Sequence, residues 1–368
     1  MSTRIRVRDG RIEVSTARED SVRSDALVEH VPLRTALVEA AGAQLTWDVT
    51  APAPLPDTDV HDALAASAWL ADVYGATVAD AVFRGVDVEI ALDAFGDPTI
   101  VDAVRALGHL NWARAWWPAS SGIPALDPAI VAAEVAVTSH LLTHLLDDED
   151  AVEHAMTDAH DAPAALAALP PALAADAAEL AAVLDALAED HGVAWAPTPP
   201  ADVRSEWALA AGGERRASAA DGVVIAQGTA PVRWSDVPTQ TVDAAAEARW
   251  TLLQGTDTPF LQVEVPAVQG VLSAPELHAV FGPPALDVDV VLRRADSVFV
   301  GETVVPASAL FLPPGARTLR VHDPLLVSPD EPEAAESAED RAEVLAFATT
   351  RLTAPDASLA ERAAGARA

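Results

Sequence analysis

The hydrophobic pattern of this chain changes period near residue 195, and this change constrains the fold more than any other feature. Between Asp59 and about Ala188, apolar residues recur mostly every three or four positions, which predicts helices. Beyond the Pro-rich segment W-A-P-T-P-P-A-D (195–202), apolar and polar residues alternate, which predicts strands. The order of the two regions indicates an α+β protein with two domains.

The N-terminal region is predicted to be mainly helical and to open with a β-hairpin. In R-I-R-V-R-D-G-R-I-E-V, apolar and charged residues alternate around a two-residue turn at Asp9 and Gly10. A short helix is expected around Arg34–Ala41. The apolar spacing over Val60–Phe83 predicts a longer helix, with Gly75 as its break.

Two later helices have well-marked starts. Asp97-Pro98 and Asp127-Pro128 each place an N-cap acid before a proline, which suits the first helical position. We expect these helices to run to about Trp117 and about Leu146. Further helices are expected over Ala151–Asp158 and after Pro170-Pro171, the latter ending at His191-Gly192.

The C-terminal half is predicted to form an antiparallel β-sandwich-like domain. In L-Q-V-E-V (261–265) the apolar residues share one face, and R-R-A-D-S (293–297) suits a hairpin turn. A helical insert is expected over Ala274–Phe281. The remaining strands are predicted over Glu206–Ala211, Val223–Gln227, Arg249–Gln254, Val288–Leu292, Val298–Val305 and Leu319–His322.

The domain boundaries that follow are 1–200 for the helical domain and 201–326 for the β domain. Residues 327–368 are expected to form an acidic linker and a helical tail, with a helix near Arg341–Leu352 and a frayed, Ala-rich end.

Charge and composition exclude several classes of function. The formal net charge is −33, from 56 acidic and 23 basic residues, and every basic residue is Arg. Such a chain repels nucleic acids and anionic membranes, and it attracts cations and basic proteins. Without Cys there is no disulfide or thiolate metal site, and without Lys there is no Schiff base. With no signal peptide and no apolar span, we expect a cytoplasmic protein of a GC-rich bacterium.

The segment Ser139–Asp161 is the strongest candidate for a metal site. It holds four of the ten histidines and seven acids within 23 residues. His140 and His144 would share one face of a helix, with the remaining candidate ligands following them in the chain. Imidazole and carboxylate groups suit Zn, Mn or Fe. The candidate metal ligands are His140, His144, Asp147, Asp148 and His154.

The same segment also suits a solvated or packed helix surface. Val137, Leu141 and Leu145 would form a buried stripe, and the residues between His140 and His144 lack the Glu of a zinc protease motif. One observation favours a cation. If the helix ends near Leu146, acids follow at its C-terminus and oppose the helix dipole.

A second unusual stretch, H-L-N-W-A-R-A-W-W-P, contains His109, Trp112, Trp116 and Trp117. Such a cluster can stack on a ligand ring or a sugar, and it equally suits a core or an interface. His322-Asp323, at a predicted strand end, is a further pair that suits either catalysis or structure.

No assembled catalytic set appears in the sequence, which has no Walker A motif and no G-x-S-x-G elbow. Whether the chain is an enzyme is therefore left open. The leading interpretation is a non-catalytic interaction or accessory protein that binds a protein partner and needs no cofactor. The alternative is a metal-dependent hydrolase that uses the histidines and acids of 140–161.

Overall fold

The computed structural model describes residues 3–9, 11–16, 31–51, 55–92, 96–148, 150–193, 195, 222–269, 275–286, 288–326 and 336–367. The chain divides into two compact units. Unit 1 comprises Met1–Trp117, Leu126–Ala196 and Ser337–Ala368, and unit 2 comprises Pro118–Ala125 and Pro197–Glu336. Both units contain antiparallel sheets, and the α-helices among the described residues belong to unit 1, so the α+β class is confirmed.

Unit 1 contains a six-stranded antiparallel sheet with the order β3-β4-β5-β2-β1-β6. The predicted hairpin forms its β1 and β2, with Ile5 opposite Val14 and Asp9 at a positive φ in the turn. Its strands are β1 Thr3–Arg8, β2 Arg11–Thr16, β3 Thr35–Ala40, β4 Ala43–Asp48, β5 Asp57–Val60 and β6 Val88–Leu92.

The helix expected around Arg34–Ala41 is wrong, because this segment contains β3. Ala36, Val38 and Ala40 are buried and alternate with more exposed residues, so the segment packs with the period of a strand. At the turn into β4, Gly42 has a φ of +72°, and a Cβ there would lie 2.2 Å from the Asp62 main-chain oxygen.

The helices of unit 1 follow the predicted starts more closely than the predicted ends. Asp97 and Asp127 accept hydrogen bonds from the second helical N–H, as N-caps do. In place of the one helix expected over Val60–Phe83, the structure has three short helices. Gly75, at a φ of +85°, separates the last two. The helices before residue 200 are α1 Ala63–Ala66, α2 Leu70–Tyr74, α3 Ala76–Phe83, α4 Pro98–Trp116, α5 Pro128–Leu141, α6 Ala151–Asp158, α7 Ala162–Ala167 and α8 Ala174–Asp190.

Two C-terminal helices, α9 (Ala338–Arg351) and α10 (Leu359–Gly365), complete unit 1. The prediction of a frayed C-terminal end is therefore wrong, because α10 is largely buried and contacts α5. Its small Ala side chains allow this close approach. In addition, Arg34 donates a hydrogen bond to Asp340 of α9 over 3.1 Å.

Unit 2 contains one curled antiparallel sheet of seven strands, with the order β13-β10-β11-β12-β9-β8-β7. The edge strands β13 and β7 contact each other, so the core lies inside one curled sheet rather than between the two sheets of the expected sandwich. The strands are β7 Val223–Pro231, β8 Glu247–Gln254, β9 Pro259–Pro266, β10 Leu277–Phe281, β11 Val288–Ala295, β12 Val298–Val304 and β13 Leu319–His322.

The strand patterns of unit 2 explain this architecture. Leu261, Val263 and Val265 of β9 are all buried in the core, as their alternation predicts. The predicted turn at 293–297 joins β11 to β12. The helical insert expected over Ala274–Phe281 is wrong, because Leu277, Ala279 and Phe281 alternate into the core as β10. The predicted strand Glu206–Ala211 lies outside the described residues. No helix among the described residues is long and apolar enough to cross a membrane.

Candidate functional site

The histidines and acids of 139–161 form separate pairs rather than one cluster. His144 Nε2 lies 3.5 Å from Asp72 Oδ2, on α2. His154 Nδ1 lies 3.2 Å from Asp148 Oδ2. The exposed His140 ring instead contacts the His191 ring edge to face, with the two centroids 6.3 Å apart.

No three of these residues converge. Asp147 is exposed, and within the described ranges no group of three or more His, Asp or Glu side chains is arranged to hold a metal ion. A metal bound by these ligands would have to replace the His144–Asp72 and His154–Asp148 pairs.

The acids that follow α5 lie where a helix begins, not where one ends. Helix α5 ends at Leu141 rather than near Leu146, so Asp147 and Asp148 are separated from it by a turn and precede α6. A hydrogen bond from the Asp150 main-chain N–H, helped by His154, lowers the pKa of Asp148. Negative charge is favourable near a helix N-terminus. The dipole conflict that favoured a cation is thus absent.

The aromatic cluster is packed inside unit 1. Trp112 and Trp117 are fully buried, with ring centroids 6.2 Å apart, and Trp116 is half-buried. The Trp112 Nε1–H donates to the Leu33 carbonyl over 2.9 Å. His109 stacks on Trp112 at 5.5 Å. The indole faces are thus in contact with protein, which is how a core cluster is arranged.

Beside this cluster lies a buried charge network that the sequence analysis missed. Glu361 of α10, 1% exposed, accepts hydrogen bonds from Arg351 Nη2 at 2.8 Å and from His109 Nε2 at 2.8 Å. It also accepts from the Ser358 N–H, which completes a capping box. Glu134 of α5 accepts from two further N–H groups at the start of α10, at 2.6 and 3.1 Å.

The two buried carboxyls have opposite pKa shifts. Burial alone would raise the pKa of Glu361, but the hydrogen bonds from His109 and Arg351 outweigh it and hold that pKa at about 2. Burial raises the pKa of Glu134, and its main-chain partners offset only part of this effect. A signal for this network existed in the sequence, since S-L-A-E (358–361) has the spacing of a capping box. Every group in it is already bonded within the protein, so it holds α10 in place.

A second polar cluster lies in unit 2, where β10, β11 and β13 meet. His278 Nδ1 lies 2.8 Å from Asp289 Oδ2, and the rings of His278 and His322 are 6.0 Å apart between centroids. Burial, followed by the charges of Arg320 and His278, lowers the pKa of His322. Of the pair noted in the sequence, Asp323 turns away, since its carboxylate accepts from the Leu325 N–H.

The third feature is an apolar surface at the edge of the unit 2 sheet. Strand β7, V-V-I-A-Q-G-T-A-P, carries no charged side chain. Its first three residues, Val223, Val224 and Ile225, are 68%, 53% and 43% exposed. A β-bulge follows Val224, where the register with β8 shifts.

This surface continues across the sheet, on the face opposite the core. Val224 is paired with Leu253, Leu253 with Phe260, and Phe260 with Val304, so the four side chains form one row across β7, β8, β9 and β12. Val304 is 65% exposed, whereas the two central members are largely covered. We call Val223–Ile225 together with this row the β7 edge surface.

Comparisons with known proteins add no assignment to any of these features. No protein-family model matches the chain, and neither a curated protein nor a solved structure matches it.

Proposed function

We propose that this chain is a non-catalytic accessory protein that binds an extended segment of a partner protein along the β7 edge surface. The observation that carries the proposal is the exposed apolar start of an uncharged edge strand, Val223–Ile225, next to the apolar row. Edge strands offer unpaired N–H and C=O groups, to which a partner strand can add.

The composition of β7 supports this proposal. Proteins usually protect an edge strand from unwanted pairing with charged residues, an early proline, a short strand or a bulge. Strand β7 has the bulge after Val224 but no charge, and its proline, Pro231, comes last. Exposed apolar side chains at such an edge favour burial by a partner.

The charge of the chain indicates the chemistry of that partner. At a net charge of −33, long-range attraction favours a basic segment and repels an acidic one. Side chains of an added strand point alternately to the two faces of the sheet. We therefore expect an extended segment in which apolar residues on one face meet the exposed Val224 side chain, and Arg or Lys occupy other positions.

The alternative of a metal-dependent hydrolase has less support. It would use His140, His144 and Asp147 or Asp148, and these side chains are held in separate pairs or exposed. A cytoplasmic location also stays a prediction.

A displayed peptide library tests the proposal. Random peptides long enough to add a strand are selected on the full chain, and enriched peptides are synthesised for titration. We expect basic peptides with alternating apolar residues. Val224→Asp should weaken their binding by about tenfold or more, since it removes an apolar contact and places a charge in the row. The matched control is Phe311→Asp, because Phe311 is an exposed apolar residue of unit 2 outside this row.

Two outcomes would contradict the proposal. One is a selection that enriches no peptide of this type. The other is equal binding of the enriched peptides to wild type and Val224→Asp. If Phe311→Asp weakened peptide binding as much as Val224→Asp does, the binding surface would not be the β7 edge surface.

A further inference from the structure

Two histidines face each other across neighbouring strands of unit 2. His278 of β10 is directly opposite His322 of β13 in the antiparallel register. Leu277, Ala279 and Phe281 of β10 point into the core, so His278 lies on the outer face of the sheet. The tilted rings have centroids 6.0 Å apart, a separation at which two imidazoles can bind one ion through ring nitrogens.

Each ring has a nitrogen that the protein leaves available. His322 is 5% exposed, and its buried Nδ1 has no hydrogen-bond partner in the part of the chain that the structure describes. Burying a polar atom without a partner is costly, so such an atom calls for an explanation. In His278, Nδ1 is bonded to Asp289 at 2.8 Å, which leaves Nε2 as the nitrogen with a lone pair.

The arrangement around His278 is one that metal-binding histidines use. Such a histidine commonly donates its second ring N–H to a carboxylate, which fixes the tautomer and the direction of the lone pair. Asp289 is placed to do this. The Glu276 carboxylate lies 3.9 Å from His278 Nε2 and adds negative charge on the same side. Arg320, whose positive charge acts on His322 and would repel a cation there, is bonded to Asp236 at 2.9 Å.

We propose that His278 and His322 bind one imidazole-preferring transition-metal ion, with Asp289 positioning His278. Imidazole suits Zn, Cu, Fe and Ni, and Cu²⁺ binds most strongly among the divalent first-row ions. No set of three or more His, Asp or Glu ligands is arranged for a metal in the described residues, so water completes the coordination. This site is independent of the β7 edge surface and of the histidines in 139–161.

The test is a Cu²⁺ titration of the full, untagged chain, in which calorimetry measures binding and electron paramagnetic resonance identifies the ligands. We expect about one tight equivalent whose spectrum shows coupling to two imidazole nitrogens. His278→Gln should abolish this component. Its side chain is partly exposed, so the variant should still fold, which circular dichroism checks. Asp289→Asn should keep the two-nitrogen spectrum and weaken binding by about ten- to a hundredfold.

The matched control is the double variant His140→Gln/His144→Gln, because these histidines lie outside the proposed site and His140 is itself close to a second imidazole, that of His191. The control should bind Cu²⁺ as wild type does. The proposal is overturned if no tight equivalent is found, if folded His278→Gln keeps it, or if the control loses it.

Discussion

Replacing Glu361 with Gln tests whether the buried charge network holds α10 in place. A carboxyl whose pKa falls from 4.5 to about 2 on folding contributes about 3 kcal/mol to stability at neutral pH. Mutational data on buried ion pairs give a similar figure, about 3–5 kcal/mol, when one partner is removed. Glu361→Gln preserves the shape of the side chain but leaves Arg351, 12% exposed at its side chain, without its buried partner. We therefore expect a loss of about 3 kcal/mol at pH 7.

The pH dependence follows from the direction of the shift. Because the folded pKa of Glu361 lies below the unfolded one, its contribution is complete above about pH 4.5 and declines as the pH falls toward 2. At pH 3 roughly half of the difference between wild type and Glu361→Gln should remain. Glu134 has the opposite sign: its pKa is raised, so its protonation favours the folded chain as the pH falls. That effect is largely shared by both proteins and cancels in their difference.

Urea denaturation, monitored by tryptophan fluorescence and circular dichroism, measures the difference in unfolding free energy between wild type and Glu361→Gln at pH 7 and at pH 3. The control is Asp356→Asn, since Asp356 binds the same Arg351 from an exposed position, 78% accessible, and should contribute less than about 1 kcal/mol. A loss below about 1 kcal/mol for Glu361→Gln at pH 7, or an equal loss at both pH values, would refute the reasoning.

Three further predictions concern other parts of the molecule. Phe299→Ala should cost about 3–5 kcal/mol in denaturant unfolding, because Phe299 is fully buried in the unit 2 core, whereas Phe311→Ala, at an exposed position, should change stability by less than about 0.5 kcal/mol. Gly301→Ala should lower the Tm, because the added Cβ would lie 2.4 Å from a main-chain oxygen of β11. An unchanged Tm would contradict this prediction, since it would mean that β12 can shift away from β11 without loss of stability. His144→Ala should leave the Tm, and the response of the Tm to Zn²⁺, unchanged, since the His144 ring is paired with one exposed carboxylate. If Zn²⁺ stabilises the wild type and not this variant, the histidines and acids of 139–161 do bind a metal.

Local signals in the sequence predicted the elements that local chemistry determines. The Asp9 turn, the Asp97 and Asp127 N-caps and the alternation of β9 each involve a few neighbouring residues, and all appear in the structure. Strands β3 and β10 were predicted as helices because five or six residues are too short to separate the two periods. Their state depends on pairing with other strands, β4 for β3 and both β11 and β13 for β10, which the sequence pattern of one segment does not contain.

Apart from the capping box at 358–361, the polar networks lie beyond local signals for the same reason. His109 and Glu361 are 252 positions apart, and Glu134 meets the start of α10 across 225. The row of the β7 edge surface exists only because the register of three strand pairs aligns four side chains. A shift of one residue in any pairing would send part of the row to the opposite face.

The acids of 147–150 show how a dense sequence feature can mislead about a site. A helix reaching Leu146 would place these acids at its C-terminus, where negative charge is unfavourable and a bound cation would relieve it. With α5 ending at Leu141, Asp148 instead accepts the Asp150 N–H and contacts His154 of α6. The starts of α1, α4 and α5 are each capped by one carboxylate, of Asp62, Asp97 and Asp127, whereas no side chain caps α6. A dense run of acids near a helix start is therefore not by itself a metal site, and a ligand site has to be argued from ring nitrogens or apolar side chains that the fold leaves without a partner.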